Sequence, residues 1–191
     1  MLTRTKTLGV LLLAAAVLVP ASTVARLSLR ELSARAHRLA AGRIERITSY
    51  QDPQSGRILS RVEISEARLG SGGAAPSSFV FEMTGGTVGG IRQWIAGFPP
   101  LRAGDRVVLL LAEDTLTPLG PTVGLWQGVF FVEADAASGV DVVTDHLRRP
   151  ISEIRDGELV TSAGGRRLPL TEFFSRLAAW RSTGRASGPR Q

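Results

Sequence analysis

The sequence predicts a mainly β protein, an OB-like antiparallel barrel or a small sandwich, with a short helix before it and another after it. Three observations carry this. Short apolar or alternating segments recur from Gly42 to Asp145, separated by glycine- and proline-bearing turns and without intervening helical periods. "ARLSLRELSARAHRLAAGRI" and "TEFFSRLAAWRS", at the two ends of that region, instead carry apolar residues at intervals of three and four. No cysteine occurs among the 191 residues. The fold must therefore rest on burial and hydrogen bonding, and thiolate chemistry is excluded.

In chain order, residues 1–25 read as a secretory signal. Arg4 and Lys6 precede an unbroken apolar run from Leu8 to Val19, and small residues follow Pro20. Cleavage is expected after Ala25 or Ala21. An uncleaved signal would leave this segment as the only membrane contact, although the apolar run is short for a span of about 20 residues. Export to the periplasm or the exterior is the expected localisation. Behind the signal lie about 165 residues, the size of one ordinary domain, assigned to 26–181, with 182–191 as a disordered tail.

Ser28 stands three residues before Glu31, the spacing of a capping box. With Leu29, Leu32, Ala36 and Leu39 at helical intervals and Gly42 as a stop, a helix is expected over 29–40. "GRIERITSY" and "RILSRVEISEARLG" form two strands of a hairpin around the turn residues Asp52 to Gly56. A Gly/Ser/Ala/Pro loop spans Gly70 to Ser78. "SFVFEMT" is a strand with Phe79, Phe81 and Met83 on one side. Pro99-Pro100 and Gly104 mark a turn before the buried strand Val107–Ala112. Leu116–Pro121 interrupts the pattern, "VGLWQGVFFVEAD" resumes it, and Ala136–Gly139 turns into "VDVVTD". "SEIRDGELVTSAGGRRLPL" reads as polar and turn-rich. Phe173, Phe174, Leu177 and Trp180 then form the apolar stripe of a closing helix that packs on the β body.

The chemistry turns on "GGTVGG", Gly85-Gly86-Thr87-Val88-Gly89-Gly90. A phosphate-binding loop needs a lysine and a hydroxyl residue after its glycines, and a helix behind them. Here Ile91-Arg92-Gln93-Trp94 follows, and the dinucleotide spacing is absent too. The pairs are therefore expected to take positive φ and to bend the chain between a sheet edge and the segment from Trp94 to Pro100. Gly85, Gly86, Gly89 and Gly90 with Trp94, Phe98 and Trp126 make the candidate binding surface, although core packing is the favoured role for the aromatics. No catalytic residue, metal ligand or cofactor is assigned. His37 and His146 are the only histidines, no G-x-S-x-G elbow occurs, and no calcium-loop pattern is present. A hydrolase using His146 or carboxylates such as Glu113-Asp114 or Asp141 with Asp145 remains the rival.

The net charge of +6 invites a nucleic-acid reading, but the charge is segregated. From Tyr50 to Leu147 six arginines face eleven acidic residues, net −5, and the remainder carries +11. An acidic body with basic ends is not a nucleic-acid face. The expected partner is a protein of the envelope or exterior.

The path from "FVFEMTGGTVGG" through "IAGFPPLRAGDRVVLLLAED" to "GLWQGVFFVE", with "GRIERITSYQDPQSGRILSRVEISEARLGSG" before it, resembles a group of uncharacterised exported bacterial proteins. That resemblance implies export and a shared fold. The chain more remotely resembles netrin-like modules, the OB-type barrels that include tissue inhibitors of metalloproteinases. This likeness implies an OB-like barrel and, as an alternative function, an accessory or inhibitor of an exported protease. The chain departs from those inhibitors in lacking their zinc-binding terminal cysteine and their disulfides.

Overall fold

A computed structural model describes residues 24–69, 78–113 and 120–186. The signal segment through residue 23, most of the Gly70–Ser78 loop, Asp114 and most of Leu116–Pro121, and the last five residues lie outside the described residues.

Helix α1 spans Leu29–Arg35. It opens with the predicted capping box: the Ser28 hydroxyl accepts from the Glu31 amide at 3.2 Å, and the Glu31 carboxylate accepts from the Ser28 amide at 2.8 Å. The helix ends five residues earlier than its apolar spacing suggests. Ala36 is extended, and the His37 amide donates to the Leu111 carbonyl at 2.9 Å, which starts strand β1 at Arg38. Leu39 has helical spacing but sits fully buried in the sheet opposite Leu110. Gly42, expected as the stop, lies inside β1.

Strand β1 (Arg38–Gln51) is the spine. Its first half pairs with β6 (Arg106–Leu111), and nearly its whole length pairs with β2 (Ile58–Leu69). Register shifts between Ala41 and Arg43 and between Ile44 and Arg46 mark bulges, and beyond Arg43 the strand continues with β2 alone. Bulges raise twist and bend the strand that carries them. Strand β2 carries β3 (Ser78–Thr84), while β6 carries β7 (Val129–Ala134) and β8 (Asp141–Thr144). The resulting antiparallel sheet runs β3-β2-β1-β6-β7-β8. Its outer members β3 and β8 do not pair with each other, so the sheet is not closed as a barrel. The sandwich-like alternative fits, with helices at both ends of the chain.

Alternation places one apolar set on each face of this sheet. Leu39, Val108, Leu110, Phe130 and Val143 meet α1 and the C-terminal helix α2 (Leu170–Ala186). Phe130 and Phe173 touch edge to face at 4.9 Å, an arrangement worth ~1 kcal/mol beyond the area buried. Leu177 is fully buried, and its carbonyl accepts from the Ser33 hydroxyl at 2.6 Å, tying the two helices together. On the other face Ala40, Ile44, Val107, Leu109 and Phe131 pack against Val62, Ile64, Phe79 and Phe81. Because β6 and β7 bury side chains on both faces, they read as continuous apolar runs.

Two further features differ from the sequence expectation. "SEIRDGELVT" is a hairpin, β9 (Ile151–Arg155) and β10 (Glu158–Thr161), turned by Asp156 and Gly157, both at positive φ. Asp-Gly between β-formers is the usual signature of such a turn. Helix α2 also runs four residues past Ser182, through part of the expected tail.

Candidate functional site

The glycine pairs build a second, smaller hairpin. Gly89 and Gly90, at φ +56° and +81°, turn β4 (Gly86–Val88) into β5 (Ile91–Gln93). Positive φ at both central residues matches the twist of the flanking strands, and side chains at those positions would be strained. Gly85 and Gly86, at φ +109° and +140°, swing the chain out of β3. A Cβ on Gly86 would collide with the Ser49 and Ser60 hydroxyls, so here absence of a side chain is a packing requirement. The expected bend between a sheet edge and the Trp94–Pro100 segment is what these four glycines make.

Polar atoms lock the hairpin onto the sheet. The Ser60 hydroxyl donates to the Gly85 carbonyl at 2.7 Å and lies 2.9 Å from the Ser49 hydroxyl. The Gly85 amide donates to the Ile58 carbonyl, and the Ile58 amide donates to the Gln93 side-chain oxygen, both at 2.8 Å. Between this hairpin and the Ile95–Leu101 segment lies a groove of about 250 Å³, walled by Ile47, Met83, Trp94, Ile95, Phe98 and Leu101 among others. The Ser49, Ser60 and Gly85 polar atoms are thus engaged with one another and the Gln93 side-chain oxygen with Ile58, and the rest of the lining is mainly apolar. Among the described residues Arg92 is the only charged one in its wall, and its guanidinium lies 5.0 Å from the centre of the Trp94 ring.

The seven candidate residues divide. Gly85, Gly86, Trp94 and Phe98 line the groove, and Gly89 and Gly90 form the tip of its hairpin wall. Trp94 is 50% exposed, whereas Phe98 is only 4% exposed and belongs to the core at the groove's base. Trp126 is not in the groove. It stands behind it, so close to Gly97 that a Cβ there would lie 2.6 Å from the indole. The sequence missed Ile47, Met83, Arg92 and Gln93 as walls. Alternation in β3 put Met83 beside Phe81, but a groove becomes visible only when β4–β5 folds back over β1 and β2.

Trp126 belongs to a second cavity, of about 480 Å³, with His146, Asp145, Arg149, Gln127 and the incoming segment Val24–Leu27. The Gln127 side chain accepts from the Leu27 amide at 2.8 Å and donates to the Ala25 carbonyl at 3.0 Å, clamping that segment. Burial pushes the His146 pKa down; Arg149 acts the same way and Asp145 opposes it. Asp145 does not orient the imidazole. Its carboxylate accepts from the Leu147 and Arg149 amides, each at 2.9 Å, and from the Arg149 guanidinium at 2.7 Å, which makes it the centre of a turn. Asp141 at the far end of β8 is held by Arg106 at 2.7 and 2.5 Å, and this pairing lowers its pKa. Asp141 and Asp145 therefore do not form an acid pair. Glu113 leaves the sheet exposed, 3.8 Å from the His37 imidazole. Among the described residues no three His, Asp or Glu side chains are grouped to hold a metal, and no helix is long and apolar enough to cross a membrane.

Fold and site together define a mainly β domain with an open, bent antiparallel sheet, two helices on one face and an apolar groove beside a glycine hairpin. Comparison with protein families, curated proteins and solved structures finds no match to this chain.

Proposed function

We propose that this protein is a non-catalytic binding domain, exported to the periplasm or beyond, that engages a protein partner through the groove between the β4–β5 hairpin and the Ile95–Leu101 segment. The observation that carries the reading is the half-exposed Trp94 in the wall of a mainly apolar groove. An aromatic side chain at an apolar groove supplies contact area at small entropic cost. Export rests on the basic start, apolar run and small-residue site of residues 1–25.

The test is capture of envelope proteins by the wild-type chain and by Trp94→Ala. The reading predicts a partner retained by the first and lost by the second, with urea midpoints that agree. Identical capture by both removes the groove from the function. Mass spectrometry of the protein from the expressing cell checks export: the first residue is expected to be Ser22 or Arg26, and an intact Met1 contradicts cleavage.

A further inference from the structure

We infer that the groove takes a peptide segment presenting one large apolar side chain flanked by a carboxylate, with Arg92 reading the negative charge. This rests on the reading of the groove as a binding site and adds the chemistry of its occupant.

Three observations point the same way. First, size: an apolar cavity of about 150 Å³ accepts a benzene-sized molecule, so a groove of about 250 Å³ suits a phenylalanine- or leucine-sized group with part of its backbone. Second, polarity: the Ser49, Ser60 and Gln93 side chains are committed to Gly85, Ile58 and each other. With these groups committed and most of the lining apolar, the groove favours an apolar side chain over a polar one, which would give up water partners on entering. Third, charge: the stretch from Tyr50 to Leu147 carries a net −5, yet among the described residues the one charged residue in the groove wall is an arginine. Arg92 is exposed and forms no ion pair among the described residues. Stacking on the Trp94 ring holds its planar guanidinium at the mouth, where it can pair two-pronged with a carboxylate.

A lipid surface fits less well. Anionic membranes are held by clusters of some 4–8 basic residues, and this mouth has one. The groove is also too small for a long acyl chain.

The experiment records backbone amide shifts of the purified chain during titration with acetyl-Gly-Asp-Phe-Asp-Gly-amide. The same peptide with asparagine for aspartate is the control, and phosphatidylglycerol vesicles form a third arm. The expected result is saturable shifts at Gln93, Trp94 and Ile95, with the asparagine peptide weaker by about tenfold, as loss of a charge-assisted contact implies. Arg92→Gln, an exposed site whose folding is checked by its melting curve, should bind both peptides equally. Trp94→Ala should weaken both. Equal affinity of wild type for the two peptides overturns the carboxylate claim and leaves the groove as a site. Absence of shifts with either peptide, or shifts with vesicles alone, overturns the peptide as occupant; whether the groove binds a partner at all is then decided by the Trp94-dependent capture described above.

Discussion

The groove and the Trp126–His146 cavity solve the problem of buried polarity differently. In the groove Ser49, Ser60, Gly85 and the Gln93 oxygen are tied up within the hairpin and its sheet, and Trp94 is left half in water. In the Trp126–His146 cavity the polar atoms are spent on the chain's own segments: Gln127 holds Ala25 and Leu27, and Asp145 holds its turn. The first surface is open to a partner; the second is engaged by its own chain. An acid-histidine neighbour pair in sequence therefore gave no catalytic geometry, because Asp145 was recruited by amides two and four residues on, as aspartates in turns commonly are.

Four measurements break or sharpen this comparison. The largest effect belongs to Phe98→Ala. Removing a 4% exposed ring at the groove's base should cost ~3–5 kcal/mol in urea unfolding. A loss below ~1 kcal/mol would mean that Phe98 is rim rather than core. Gly97→Ala tests the close approach of the Ile95–Leu101 segment to Trp126. With φ +85° and a Cβ 2.6 Å from Trp126, it should cost ~2–3 kcal/mol and blue-shift or red-shift the Trp126 emission. Trp94→Ala should change stability by less than ~0.5 kcal/mol while removing partner capture, and a large stability loss would assign Trp94 to packing.

The smallest effect is on pH dependence. Burial holds the folded His146 below its ordinary 6.5. The unfolded chain therefore binds this proton first, so the stabilising contribution is complete above pH 6.5 and lost as pH falls through that value toward the folded pKa. His146→Gln should flatten the stability profile just below pH 6.5; an unchanged slope there would place the imidazole in water.

Much of the fold was legible because it follows from local rules. The capping box at Ser28 and Glu31, the Asp52–Gly56 turn, the alternation in "SFVFEMT" and the apolar run of β6 each depend on residues within a few positions of one another. Leu39 shows where this stops. Its helical spacing was genuine, but it pairs with Leu110 of β6 and is fully buried in the sheet. The site was half legible for the same reason. Gly89-Gly90 announced a turn, while Trp94, for which core packing was the favoured expectation, is half exposed, and Ile47, Met83 and Leu101 become neighbours only through the tertiary fold.

By itself the sequence determined a cysteine-free, mainly antiparallel β protein with a helix at each end, because periodicity and turn chemistry are written in adjacent residues. Only the tertiary structure decided that the sheet stays open. It alone also placed Trp126 behind the groove, with Arg92 at its mouth. Those outcomes depend on how the bulges of β1 bend one half of the sheet over the other, a sum of contacts between residues distant in the chain that no local pattern records.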